Sequence, residues 1–134
     1  MRILHLVVGS ALLLSTGLAQ ARERLTPDAR LAKILAGRTA GEPVNCIPLR
    51  NIRASEIVDK TAIVYTTNGG TIYVNRPNGA SFLDDDQIMV NKVYTSQLCS
   101  IDIVNLLDRS TRFTDGSVSL EKFTPYPRPP KAPR

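Results

Sequence analysis

Tryptophan is absent from this sequence, and histidine occurs once, as His5. His5 lies in an apolar N-terminal stretch that reads as a removable leader, so the exported chain is expected to carry no histidine. Without imidazole there is no Ser-His-Asp or Cys-His nucleophilic site, no histidine general base and no histidine-ligated zinc. Aromatics are scarce as well. Three Phe and four Tyr are too few to interleave with cations along a nucleic-acid-binding face, and no nucleic-acid partner is expected.

The leader is built from three parts. Arg2 gives a short positive start, "ILHLVVGSALLLSTGLA" an apolar run, and Ala19-Gln20-Ala21 the small-x-small form that a signal peptidase reads. Residues 1–21 are therefore expected to be a signal peptide cleaved after Ala21, and the protein to be periplasmic or secreted. No retained membrane span is expected, because a span needs about 20 apolar residues and Ser10, Ser15 and Thr16 interrupt this run.

Export gives the cysteines a meaning. Cys46 and Cys99 make an even pair in an oxidising compartment, which favours one disulfide. A catalytic thiol would need a base or a cation beside it, and Leu98 and Ser100 flank Cys99. Closing so long a loop stabilises by roughly 4 kcal/mol, a large share of the ~5–15 kcal/mol typical of a domain.

The formal net charge is +5, unevenly placed. Between Pro43 and Tyr126 eight basic residues stand against nine acidic ones, and the excess lies in the flanking "RERLTPDARLAKILAGR" and "PRPPKAPR". Such flanks read as solvated ends. Residues 22–42 form a helical or flexible leader: Thr26 can cap, Pro27 and Asp28 suit a first turn, and Gly37 can end the helix. Leu31, Ile34 and Leu35 fall on one side, so the helix either docks on the core or frays, being marginal alone. Residues 127–134 read as a disordered, Pro-rich tail of polyproline character.

Residues 43–126 read as a single β domain. "PVNCIPL", "SEIVD", "TAIVYTT", "TIYVNR", "QIMVNKVYT", "SIDIVNLLDR" and "VSLEKFTPY" are apolar or alternating runs broken by turns. Lys60-Thr61 suggests a tight reversal, and Asn68-Gly69-Gly70 a hairpin whose positive φ glycine accepts. About seven short strands predict a mainly β fold, a small antiparallel barrel or sandwich.

Few side chains offer chemistry. Asp84, Asp85 and Asp86 supply oxygens of the kind calcium prefers, but "LDDDQI" lacks the spaced acids and the glycine of a calcium loop. A solvated turn is the reading adopted; no metal and no cofactor is expected. Asn68 and Gly69 could cradle an anion, although a hairpin turn explains them. Glycan hydrolysis by carboxylates alone would need two of Asp84, Asp86, Asp102 and Asp108 to converge in a cleft. Tyr65, Tyr73 and Tyr94 in strands could line one face.

Across "CIPLRNIRASEIVDKTAIVY", "IYVNRP", "SQLCSIDIVNLLDR" and "LEKFTPY", covering roughly Val44 to Tyr126, the chain resembles a family of small secreted proteobacterial proteins of the alphaproteobacterial, sphingomonad-like kind. No activity is established for that family, so the resemblance implies none. Many of its members carry two further cysteines, near Ala80-Ser81 and near Val118. Their absence here resembles loss of a second disulfide, fits Cys46 pairing with Cys99, and implies a less restrained loop from Pro77 to Asp86.

The expectation is a non-enzymatic binding or interaction module of the cell envelope. Its partner would be an envelope protein or glycan, met through Asp84, Asp85, Asp86, Asn68 or Gly69. The alternatives are a carboxylate-dependent cell-wall glycan hydrolase and a purely structural envelope protein.

Overall fold

The computed structural model describes residues 23–133, so the expected signal peptide and Arg134 lie outside the described residues. Helix α1 (Pro27–Ile34) starts as its sequence indicates: Thr26 Oγ1 accepts from the Ala29 N–H at 3.2 Å, Pro27 opens the first turn, and Gly37 takes φ +72° just beyond the end. Its apolar side, Leu31 with Ile34 and Leu35, docks on the sheet and does not fray. No helix among the described residues is long and apolar enough to cross a membrane.

Among the described residues nine strands follow: β1 (Cys46–Pro48), β2 (Ile52–Val58), β3 (Ala62–Thr67), β4 (Ile72–Asn75), β5 (Gln87–Asn91), β6 (Gln97–Cys99), β7 (Ile103–Asp108), β8 (Thr114–Ser119) and β9 (Phe123–Tyr126). They form three antiparallel sheets, ordered β2-β3-β4-β9, β5-β7-β8 and β1-β6. The sheets do not close on one another, so of the two expected architectures the fold is sandwich-like and not a barrel.

Strand β3 shows how the layers assemble. Its run Ala62-Ile63-Val64-Tyr65 is buried throughout because both faces are covered. Ala62 and Val64 join Val58, Ile72 and Val74 under α1. Ile63 and Tyr65 point the other way, with Ile57 and Phe123, onto Val104, Leu106 and Val118 of the second sheet. The order is thus helix, four-stranded sheet, three-stranded sheet. Alternation with period two assigns each side chain to its layer.

Two differences from the seven-strand expectation have local causes. The segment "VSLEKFTPY" is two strands: β8 belongs to one sheet and β9 to the other. The crossing is fixed by buried Asn75, which donates from Nδ2 to Glu121 O at 2.5 Å and accepts the Glu121 N–H at 3.1 Å. Strand β6 is three residues long, too short for alternation to reveal, and exists by pairing with β1. Tyr94 lies beyond the end of β5 and is 96% exposed, whereas Tyr65 and Tyr73 stand opposite each other in β3 and β4.

The tail begins on the body. Arg38 donates from Nη1 to Gly70 O at 2.8 Å and to Tyr126 O at 3.0 Å, and the Arg128 guanidinium lies against Gly70. Pro129 is half-buried beside Gly37; residues 130–133 are exposed.

Candidate functional site

A broad concavity lies where α1 meets two loops. One loop is the β2–β3 turn, in which Lys60 takes φ 51° and Thr61 N–H returns to Val58 O. The other is the segment that leads through Leu83 and Asp84-Asp85-Asp86 into β5. Lys60 N–H donates to Leu83 O at 3.0 Å, and Asp85 N–H to Asp59 Oδ1 at 2.6 Å, so the loops lie side by side. Leu83 is buried in the core and anchors the second loop from beneath.

The loop from Pro77 to Asp86 is well pinned despite having no cysteine of its own. Asn78 and Ser119 exchange backbone hydrogen bonds, Ala80–Phe82 form a single 3₁₀ turn, and Gln87 ties the far end. The Gln87 side chain accepts the Asp84 N–H and donates to Phe82 O and to Asp115 Oδ2. These bonds explain why a neutral amide is buried there.

The result is an open groove of about 1170 Å³. Arg24 and Leu25, ahead of the helix, and Pro27, Arg30, Lys33 and Ile34 of α1 line it on one side, and Glu56, Asp59 and Asp84–Asp86 on the other. Carboxylate oxygens of Asp59, Asp84 and Asp85 lie within 4.8 Å of one another. Arg30 bridges the walls, pairing with Glu56 and with Asp85 at 3.1 Å each, and Arg109 pairs with Asp86 at 3.1 Å. Asp59 and Asp84 have no ion-pair partner among the described residues.

Three converging carboxylates attract a cation or a cationic group. With one oxygen each they supply three of the roughly six to eight oxygens that calcium takes. A glycan-cleaving acid requires a carboxyl kept protonated against an apolar wall. Here Asp84, Asp85 and Asp86 are exposed. The other two acids considered for that chemistry stand elsewhere: Asp102 accepts the Cys99 N–H at the start of β7, and Asp108 ends that strand. Six residues of extended chain separate them by about 20 Å. Asp108 is held below the ordinary carboxylate value by the Thr111 N–H above all, then by the Thr111 hydroxyl and the Ser110 N–H.

Asn68 and Gly69 are not part of the groove. They sit at the far end of β3, where Asn68 N–H donates to Asn51 O and its amide to Arg50 O. Those bonds give Asn68 a structural task, fastening the β3–β4 turn to the chain before β2. Sequence reasoning found the three aspartates but missed Asp59, Glu56 and Arg30, which are brought in by the β2–β3 hairpin and the docked helix. The Thr26-Pro27 start and the Leu31 stripe were the available signals for the helix wall. No protein-family model, curated protein or solved structure matches the chain.

Proposed function

We propose that the chain is an exported, non-enzymatic interaction module of the cell envelope, periplasmic or secreted, and that the groove between α1 and Asp84–Asp86 is its contact surface. The observation that carries the reading is the charge arrangement. Five carboxylates line one side; Arg30 is shared between two of them, and Asp59 and Asp84 have no ion-pair partner among the described residues. A partner segment bearing lysine or arginine side chains complements that wall, while Leu25 and Ile34 offer apolar contact beside it. The leader sequence and the Cys46–Cys99 disulfide support the compartment.

The test is a crosslinking pull-down of the tagged protein from its host's envelope fraction, wild type beside Asp84→Asn/Asp85→Asn. One saturable partner, lost in the double variant and weakened by salt, is the expected result. A partner retained in full by the variant removes the groove from the interaction. Release of reducing sugar from cell-wall glycan, abolished in the same variant, would establish the hydrolase in its place.

A further inference from the structure

Among the described residues the two larger sheets have four edge strands, and three of them are blocked. Strand β2 carries Arg53 and Glu56 and has a register irregularity between Ile52 and Ala54. Strand β9 contains Pro125 and is covered by the incoming chain, since Gly41 N–H donates to Pro125 O and Val44 pairs with Phe123. Strand β8 is irregular opposite Leu106 and Leu107, and Asn78 bonds to its Ser119. Bulges, charges, proline and covering chain are the usual devices that stop sheets from pairing edge to edge.

Strand β5 has none of them. It reads Gln87-Ile88-Met89-Val90-Asn91, without charge or proline, and pairs with β7 on one side only. The Gln87 N–H turns back to Asp84 O, away from β7. Alternation then points the main-chain groups of Met89 and Asn91 away from β7 too. Neither residue makes a backbone hydrogen bond outside its own ladder among the described residues. The Asn91 Oδ1 atom, buried and without a hydrogen-bond partner, lies on the same strand.

We propose that β5 is the self-association edge of this protein, pairing antiparallel with β5 of a second copy about a two-fold axis at Met89. The sequence around Met89 is self-complementary in that register. Ile88 faces Val90, Gln87 faces Asn91, and Asp86 faces Lys92, each contact occurring twice in the isologous arrangement. Asp86 is 72% exposed even with Arg109 beside it, so it is open to a second cation. Ile88 and Val90 lie on the face opposite Met89, which packs inward. On that face Ile88 is cross-strand from Leu107, and Ile103 is 54% exposed. Joining two β5 strands makes one six-stranded sheet and extends that apolar stripe across both copies.

The experiment is sedimentation equilibrium on the chain expressed with its own leader and purified oxidised, at low and high salt. The expected result is a dimer whose dissociation constant rises about tenfold in Lys92→Glu, where two attractive pairs become two repulsive ones. The charge-swapped Asp86→Lys/Lys92→Glu variant restores wild-type association. Circular dichroism checks that both variants fold. A wild type that stays monomeric at about 1 mM overturns the proposal, as does a dimer indifferent to both variants.

Discussion

Cys46 and Cys99 stand directly opposite each other in the β1–β6 ladder, with Cα atoms 4.0 Å apart although they are 53 positions apart in sequence. The two strands are three residues each, and Ile47 and Leu98, their central pair, are buried in the main core. A ladder this short is marginal on its own. The disulfide fixes its register and links the start of the domain to the turn before β7. Cys46→Ala/Cys99→Ala is expected to lower stability by about 2–4 kcal/mol. Urea unfolding of the oxidised and variant proteins checks this, and coincident midpoints would falsify the staple role.

Gly69 and Gly70 are neighbours in one turn with opposite tolerances. Gly70 has φ +85°, and a Cβ there would meet the Arg128 guanidinium at 2.5–2.8 Å; around Gly69 nothing lies within 4 Å. Gly70→Ala is expected to destabilise by about 1–2 kcal/mol from the left-handed backbone alone, and to loosen Arg128. Gly69→Ala should lie within about 0.5 kcal/mol of wild type. Equal shifts in thermal midpoint for the two variants would contradict this account of the turn.

Tyr65 is 2% exposed, packs edge-on against Phe123 with ring centroids 5.8 Å apart, and its hydroxyl has no hydrogen-bond partner among the described residues. The ring belongs to the core; the oxygen is a burden there. Tyr65→Phe is expected to be neutral or to stabilise by about 1 kcal/mol, since it removes an unpaired buried polar group and keeps the ring. Burial also raises the phenol well above its ordinary 10.0. The unfolded chain therefore releases this proton first. Stability linked to Tyr65 is whole below pH 10 and falls as pH rises from there toward the raised value. The Phe variant should lose that alkaline decline, as read by unfolding at a series of alkaline pH values.

Local chemistry was legible wherever it depended on near neighbours. The Thr26 cap, the Lys60 reversal and the Asn68-Gly69-Gly70 hairpin all follow from residues a few positions apart. The mainly β class followed from them, and the cysteine pair followed from the even count and the expected export. Long-range partners were not legible. That Asp59 would accept the Asp85 N–H, or that Arg30 would reach Glu56 and Asp85, depends on which hairpin lies beside which loop. The same holds for β6, which is defined by its partner β1 and not by its own three residues.

Asp108 shows how a residue considered for catalysis can be occupied by structure. Its Oδ1 accepts the Thr111 N–H at 2.7 Å, the Thr111 hydroxyl at 2.9 Å and the Ser110 N–H at 2.9 Å, closing the turn between β7 and β8. Donors aimed at one oxygen favour the charged form, so the carboxyl titrates below its ordinary 3.8. In acid the unfolded chain binds this proton before the folded one does. The stability tied to Asp108 is thus complete above the ordinary value and is lost as pH falls through the depressed one. Asp108→Asn keeps an acceptor oxygen but cannot titrate. Its unfolding free energy should vary less than that of wild type between about pH 2 and pH 5, with the two curves parallel at higher pH. A variant curve as steep in acid as the wild type would mean that the turn does not hold the carboxylate, and Asp108 would again be free for other chemistry.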